Sequence, residues 1–118
     1  MKPLEGITIL EFSTMIMAAL SSMMLAEQGA RVIKVENPSG DSMRMGGALN
    51  RGVSSLFTAL NRNKDSIVLD FQQESGISAI KSMAASVDIL IQNYRPGVME
   101  RLGIGYSDLK AINPQLIY

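Results

Sequence analysis

The hydrophobic and polar positions along this chain alternate between short β-like runs and longer helical stretches. Apolar runs rich in Val, Ile and Leu predict strands, and longer apolar stretches with helical spacing predict helices. The predicted strands are residues 7–12, 31–36, 66–71, 87–93 and 115–118. The predicted helices are residues 15–28, 55–61, 74–85, 97–102 and 107–112. Strands that alternate with helices favour an α/β fold with a parallel sheet.

Two segments stand out from this alternation. The connection 37–54 is rich in Gly, Ser and Met and is long for a compact domain, which favours a functional or mobile segment over an idle one. The predicted helix 15–28 is apolar around most of its circumference and stops at Gly29. We therefore expect this helix to be buried on more than one side in a longer protein and partly exposed in 118 residues alone, with its methionines acting as adaptable core filler.

Composition narrows the chemistry that is open to the chain. Its 118 residues are 47% apolar and carry no net charge, as expected of one globular domain without an electrostatic preference for nucleic acid or an anionic membrane. The absence of Cys and His excludes disulfides and thiol nucleophiles, and it removes the commonest general base and metal ligand, so we expect no metal site. Glu5 and Glu11 interrupt any signal peptide, and the apolar stretch 15–26 is too short to span a bilayer. These features predict a cytoplasmic protein.

Two runs join a predicted strand to polar, basic or Gly-Pro residues. They read LNRNKDSIVLDF at 60–71 and VDILIQNYRPGVMERLGIGY at 87–106. Because α/β proteins present binding loops at strand ends, these runs point to an anionic ligand.

Four segments in the same order resemble the class III CoA-transferases, the CaiB/BaiF family, which includes formyl-CoA and carnitine CoA-transferases and α-methylacyl-CoA racemases. They are PLEGITILEFS, MLAEQGARVIKVENPSGDSMR, LNRNKDSIVLD and NYRPGVMERLGIGYSDLKAINPQLIY, and together they cover essentially the whole chain. The resemblance implies that residues 1–118 are the N-terminal CoA-binding segment of a Rossmann-like large domain. It also implies a longer chain that acts as an interlocked homodimer on acyl-CoA and a carboxylic acid, with coenzyme A as substrate and no permanently bound cofactor.

The resemblance also implies which residues contact CoA. They are Asn61, Arg62, Asn63, Lys64, Asn93, Tyr94, Arg95 and Arg101. Arg and Lys suit the pyrophosphate and the 3′-phosphate of CoA, and Asn and backbone amides suit its adenine and pantetheine groups. The alternative is that 61–64 form a polar turn and that Arg101 lies on a solvated helix face.

The chain departs from the family pattern at the loop after the first strand. Many members carry Arg or His followed by a Gly-Pro turn there, whereas this chain has Thr14 and then Ala18-Ala19. The position after Glu36, often basic in the family, is Asn37, so Arg44 or Lys34 would have to supply that charge.

The resemblance implies nucleophilic catalysis by an aspartate that forms an acyl-aspartate intermediate. That aspartate lies beyond this segment in the family, and no Asp of the chain matches it, so we assign no catalytic residue here. The five aspartates suit local turn, strand-end and helix-start roles; they are Asp41, Asp65, Asp70, Asp88 and Asp108.

Three alternatives to a CoA-transferase make different demands on the sequence. A nicotinamide-dinucleotide domain needs a Gly-rich turn after the first strand, but residues 13–20 contain no Gly. A truncated, non-catalytic CoA-binding or interaction module needs only the loops present here. An acyl-CoA racemase of the same family would carry its acid and base further along the chain.

Overall fold

The computed structural model describes all residues from 1 to 118. Its six strands are Thr8–Phe12 (β1), Arg31–Glu36 (β2), Leu49–Asn50 (β3), Val53–Ser54 (β4), Lys64–Val68 (β5) and Ile89–Gln92 (β6). Its five α-helices are Met17–Glu27 (α1), Ser55–Leu60 (α2), Glu74–Ala84 (α3), Val98–Arg101 (α4) and Tyr106–Ile112 (α5). A 3-10 helix spans Ser42–Met45. None of the helices combines the length and the apolar character that crossing a membrane requires.

Four strands form one parallel sheet in the order β5-β2-β1-β6, which confirms the predicted fold class. The strands β3 and β4 form a separate antiparallel pair. The predicted strand 115–118 is reduced to a single parallel bridge between Ile117 and Ile89. The chain therefore moves from β1 to β2 on one side and later places β6 on the other side of β1.

Alternate residues of the central strands face two different layers, as the two-residue period of a strand requires. Leu10 and Phe12 of β1 belong to the larger core, which α3, α4 and α5 cover with side chains that include Ile80, Met99 and Leu109. Ile9 faces the opposite way and packs with Ala26, Ala30 and Val32 in a smaller core beside α1. The layer beside α1 is apolar only over its amino-terminal half, because the next inward positions are Glu11 and Lys34.

The helix α1 ends as the sequence predicts. Gly29 adopts φ +107°, and its N–H donates to the Ala26 carbonyl at 3.0 Å while the Ala30 N–H donates to the Leu25 carbonyl at 3.2 Å. This is a Schellman cap, which satisfies carbonyls that the helix leaves open. The helix begins two residues later than predicted, because Met15 lies at φ +63° and cannot join a right-handed helix.

Within the 118 residues described, α1 is buried on one side and exposed on the other, as expected for these residues alone. Ala18, Ala19, Met23 and Ala26 are buried against the sheet side. The opposite side is open, with Met17 79%, Leu20 40% and Met24 54% exposed. Nothing in residues 1–118 covers this apolar stripe.

The predicted strand 66–71 is displaced toward the N-terminus and spans Lys64–Val68. Lys64 and Asp65 already pair with Val32 and Ile33, and Arg31 Nε bonds Asp65 Oδ2 across the strands at 2.9 Å. After the strand, Asp70 Oδ1 accepts the Gln72 N–H at 3.0 Å and turns the chain toward α3. Local hydrophobicity alone did not show that charged residues extend the ladder at its start.

The long connection 37–54 is structured. Asp41 caps the 3-10 helix by accepting the Met43 N–H at 2.9 Å, and Ser54 caps α2 by accepting the Phe57 N–H at 3.1 Å. The Ser54 hydroxyl also donates to the Gly46 carbonyl at 2.6 Å, which ties the two ends of the β3–β4 hairpin together.

We expect Gly76→Ala to lower the thermal unfolding temperature, although alanine is the better helix former. A Cβ at Gly76 would lie 2.0 Å from the Asp70 carbonyl oxygen, which is backbone and cannot move aside alone. Such overpacking costs about 1–3 kcal/mol, more than the gain of about 1 kcal/mol in helix propensity. Circular dichroism melting measures the change. The control is Ser75→Ala, at the neighbouring exposed position; equal melting of the two variants would contradict the close approach.

Candidate functional site

A buried carboxylate organises the carboxyl-terminal half of the layer under α1. Glu11 has no exposed surface. Its Oε1 accepts from Lys34 Nζ at 3.1 Å and from the Ser13 hydroxyl, and its Oε2 lies 2.8 Å from Lys64 Nζ and 2.6 Å from the Ser22 hydroxyl. The four partners come from β2, β5, α1 and the loop after β1. One side chain therefore joins four parts of the chain.

Both lysines of this network have further partners. Lys34 Nζ lies 2.6 Å from the Ser13 hydroxyl and 2.9 Å from Asp41 Oδ2, an ion pair in which that oxygen accepts no aligned hydrogen bond. Lys64 Nζ donates to the Ala19 carbonyl at 2.9 Å and to Asn61 Oδ1 at 3.0 Å. Each lysine side chain is only 1% exposed. The network thus holds two buried cations against two buried anions.

The environment shifts the pKa values of this network. Burial opposes the charge on Glu11, but Lys34 and the hydrogen bonds from Lys64, Ser13 and Ser22 outweigh it and hold the Glu11 pKa below its ordinary value. Burial lowers the pKa of Lys64, and the contacts with Glu11 oppose that shift. Glu11 is therefore held as the anion that both lysines require.

A second ion pair fixes the connection 37–54 to the end of β2. Arg44 forks onto Glu36, with its Nη2 2.6 Å from Oε1 and its Nε 2.7 Å from Oε2. Glu36 also accepts from the Asp41 N–H at 3.0 Å and the Ser66 hydroxyl at 2.8 Å. The Arg44 hydrogen bonds, against the cost of burial, lower the Glu36 pKa from 4.5 to about 2. The Arg44 guanidinium stacks over the Phe57 ring at 4.2 Å and so reaches α2 as well.

A polar pocket of about 230 Å³ opens at the carboxyl ends of the central strands. Ten residues line it, among them Ser13, Thr14, Glu36, Asn37, Asp41 and Tyr94. They come from the carboxyl ends of β1, β2 and β6 and from the connection 37–54, at the place where the strand order reverses around β1. Open α/β sheets bind their ligands at such a switch point. This pocket is the candidate functional site.

The structure places the predicted residues 93–95 at this edge of the sheet. Tyr94 lines the pocket, and burial raises its pKa above the ordinary value. Arg95 is exposed in the following turn. Asn93 is half-buried, and both polar atoms of its carboxamide bond the backbone of Thr14. Arg101, on α4, is exposed, with its Nη1 close over Gly97, and neither it nor Arg95 forms an ion pair.

The predicted residues 61–64 lie at the opposite edge, because 61–63 precede the parallel strand β5 and Lys64 is its first residue. Arg62 Nε and Asn63 Nδ2 both bond Glu27 Oε1 at the end of α1, at 2.9 and 3.0 Å. Lys64 points inward along the sheet and has its ammonium inside the Glu11 network. The structure therefore divides the predicted CoA residues between two edges of the sheet.

The family's basic position after Glu36 has two possible substitutes in this chain. Lys34 is enclosed by Glu11, Ser13 and Asp41, whereas the Arg44 side chain is 46% exposed. Arg44 is therefore the more accessible cation beside the pocket.

Each aspartate has a hydrogen-bond or ion-pair partner in the structure. Asp41 and Asp70 accept backbone N–H groups, as described above. Thr8 N–H donates to Asp88 at 2.8 Å, and Gly105 N–H donates to Asp108 at 3.0 Å. Asp65 pairs with Arg31.

Sequence reasoning did not foresee the Glu11 network. A signal for it is visible, since Glu11 and Lys34 interrupt otherwise apolar strands and oppose each other in the register of β1 and β2. The partners Ser22 and Lys64 carry no such local signal.

Comparisons with known proteins identify the family. CoA-transferase family III matches residues 4–118, and the chain belongs to this family. The chain is 39% identical to succinyl-CoA:glutarate CoA-transferase of Mus musculus and 38% identical to acetyl-CoA:oxalate CoA-transferase of Acetobacter aceti, covering 100% and 98% of this chain. It spans only 28% and 30% of the length of those two relatives.

Solved structures agree with this assignment. A CAIB/BAIF family protein from Brucella suis superposes with a TM-score of 0.93 at 38% identity, over 99% of this chain and 32% of that one. Rv3272 from M. tuberculosis, in its orthorhombic form, superposes with a TM-score of 0.93 at 36% identity, over 99% of this chain and 33% of that one. The predicted family resemblance is confirmed.

We expect Glu11→Gln to destabilise the fold strongly, because it leaves Lys34 and Lys64 buried without their shared anion. Breaking one partner of a buried charge pair costs about 3–5 kcal/mol. Urea unfolding at neutral pH measures the loss. The control is Glu27→Gln, which removes the exposed pair with Arg62, and the expected cost there is about 1 kcal/mol or less. Similar costs for the two variants would contradict the central role of Glu11.

The lowered Glu36 pKa gives an acid-sensitive contribution to stability. Because the folded pKa is about 2 and the ordinary value is 4.5, the folded state binds fewer protons between these values. The stabilisation is therefore complete above about pH 4.5 and is lost as the pH falls toward about 2. In a pH series of urea unfolding, Glu36→Gln should flatten this slope, whereas Glu5→Gln, at an exposed carboxylate, should leave it steep. Identical slopes for the wild type and Glu36→Gln would contradict the assignment.

Proposed function

We propose that this chain is the CoA-binding part of an enzyme that moves CoA between an acyl-CoA donor and a carboxylic acid acceptor. The observation that carries the proposal is the match of CoA-transferase family III to residues 4–118. The pocket at the carboxyl edge of the sheet supports it, because that is where an α/β sheet receives its ligand. The names of the mouse and Acetobacter relatives describe this type of transfer.

The proposed chemistry is covalent catalysis by an aspartate that lies outside residues 1–118. Its carboxylate attacks the acyl-CoA carbonyl, the CoA thiolate leaves, and an acyl-aspartyl anhydride forms. The thiolate then attacks the aspartyl carbonyl, which releases the donor acid and leaves an aspartyl-CoA thioester. The acceptor carboxylate attacks that thioester, and the same steps run in reverse to give the new acyl-CoA and the free aspartate. In this scheme, residues 1–118 contribute the binding of CoA.

The cations at the carboxyl edge suit the phosphates of CoA. Arg95 and Arg101 are exposed and have no ion-pair partner, so phosphate binding breaks no existing pair. Guanidinium groups bind phosphate through paired hydrogen bonds. Tyr94 and Asn93 flank the pocket from the same loop.

The proposal retains Asn61, Arg62, Asn63 and Lys64 as part of the CoA site. CoA is an extended molecule, so one bound ligand can reach both edges of the sheet. Arg62 is exposed and can exchange Glu27 for a phosphate. Lys64 contributes by fixing Asn61 and the start of β5, because its ammonium is engaged with Glu11, Ala19 and Asn61. The proposal also includes a cytoplasmic homodimer.

We expect Arg101→Ala to weaken CoA binding by about tenfold or more, since a hydrogen bond to a charged group contributes about 1.5–3 kcal/mol. Isothermal titration with CoA of the protein at the length at which its native source makes it measures the affinity. The control is Lys110→Ala, which removes the same charge from α5 outside the proposed site and should leave the affinity unchanged.

Lys64→Ala should also weaken CoA binding, but together with a loss of folding stability, because it leaves Glu11 short of one cation. Unchanged CoA affinity in both Arg101→Ala and Lys64→Ala would remove the assignment of these residues to the site.

Transfer itself is tested on the protein at the length at which its native source makes it, and its intact mass is measured first. Acyl-CoA donors are incubated with carboxylic acids, and the new acyl-CoA is identified by mass spectrometry. Hydroxylamine trapping then reports the acyl-aspartate. CoA binding without transfer by that protein would leave a CoA-binding module as the function.

A further inference from the structure

The loop between β1 and α1 is held by a residue that is 79 positions away in the chain. Asn93 Oδ1 accepts the Thr14 N–H at 2.8 Å, and Asn93 Nδ2 donates to the Thr14 carbonyl at 2.7 Å. The two bonds join one carboxamide to the backbone donor and acceptor of one residue, which belong to the two peptide units on either side of the Thr14 Cα. Both polar atoms of the Asn93 side chain are thereby occupied.

The residue next to this clamp has an unfavourable backbone conformation. Met15 lies at φ +63°, in the left-handed region that an unbranched, non-glycine residue adopts rarely. Such conformations persist only where the surrounding structure enforces them. The Asn93 bonds act on the residue immediately before Met15, so they are placed to enforce it.

The clamp also joins two walls of the candidate pocket. Thr14 lines the pocket from the end of β1, and Tyr94, the residue after Asn93, lines it from the end of β6. The backbone bonds of these strands stop close by, where the Asn93 N–H donates to the Phe12 carbonyl at 3.4 Å. Beyond that point the carboxamide is what fixes the loop of Thr14 to the loop of Tyr94.

The geometry points to Asn93 as a positioning residue of the CoA pocket, which acts by clamping the Thr14 backbone and holding Met15 in its left-handed conformation instead of by touching the ligand with its carboxamide. The inference rests on the proposed function in one respect, namely that the pocket binds CoA. It changes the role of Asn93 from that of a direct side-chain contact to that of a support for the neighbouring loop.

The first experiment compares Asn93→Ala with Asn113→Ala in the protein at the length at which its native source makes it. Asn113 is the matched control, because its carboxamide likewise bonds the backbone, with Nδ2 donating to the Ala84 and Val87 carbonyls at 3.0 Å, but away from the pocket. Amide exchange at Thr14, measured by nuclear magnetic resonance, should be about fivefold or more faster in Asn93→Ala, since one hydrogen bond is lost there. Asn113→Ala should leave Thr14 exchange unchanged even where it lowers the melting temperature.

CoA affinity, measured by titration with CoA itself, tests the functional half of the inference. Asn93→Ala should weaken binding, whereas Asn113→Ala should not. Adding Met15→Gly to Asn93→Ala should reduce the factor by which Asn93→Ala weakens CoA binding. Glycine adopts φ +63° without the penalty that Asn93 offsets. A merely structural loss of stability would not be relieved by a glycine at this position.

Three results would overturn the inference. Unchanged amide exchange of Thr14 in Asn93→Ala would show that the Asn93 carboxamide does not hold the Thr14 backbone. Faster exchange with unchanged CoA affinity would remove its role in the pocket. If Asn93→Ala weakened CoA binding by the same factor with Met and with Gly at position 15, its effect would not depend on the left-handed conformation. Absence of CoA binding by the wild-type chain is a different outcome, because it defeats the proposed function as well.

Discussion

The structure depends on one buried carboxylate shared between two lysines. Glu11 has no contact with water, and transferring a charge from water into a protein interior is costly unless it is paired and hydrogen-bonded. Here both oxygens are occupied, one by Lys34 and Ser13 and the other by Lys64 and Ser22. The arrangement is favourable only when every partner is present. It therefore selects one placement of β1, β2, β5 and α1 relative to each other.

The two sides of the sheet stabilise the structure in different ways. The larger core around Phe12 and Ile80 is apolar and supplies non-directional burial. The side facing α1 changes from apolar to charged along the strands, and its directional bonds fix the loops at the carboxyl edge. Lys34 adds an ion pair with Asp41, and Glu36 bonds Arg44, whose guanidinium stacks on Phe57. The long connection 37–54 is thus positioned by charges at the end of β2.

The regular elements could be predicted from sequence because their signals are local. The apolar runs of β1 and β2 and the glycine that ends α1 need no tertiary information. The start of β5 could not be located in this way, since Lys64 and Asp65 enter the ladder through partners on β2 and α1. The apolar circumference of α1 predicts burial on more than one side, but it does not say which residues provide the cover.

The candidate site was predictable only in part. The loop 93–95 lies at the pocket as expected of residues that follow a strand. The placement of 61–64 at the other edge was implicit in the sequence, because these residues lead into a parallel strand. The Glu11 network depends on residues up to 53 positions apart in the chain, Glu11 and Lys64 among them. A pairing of that kind is decided by the assembled sheet and leaves little trace in local patterns.

The contact between Asn93 and Thr14 has a consequence for how this loop can vary between related proteins. Asn93 bonds only the main chain of Thr14, so any L-residue with a backbone N–H, that is any except proline, can occupy position 14 without removing the contact. The side chain at position 14, a residue that lines the pocket, is thereby free to diverge. Position 93 has no such freedom, because a carboxamide is needed to accept and donate at once. The side chain that the loop carries at position 14 can therefore change while the backbone of the loop keeps the same path.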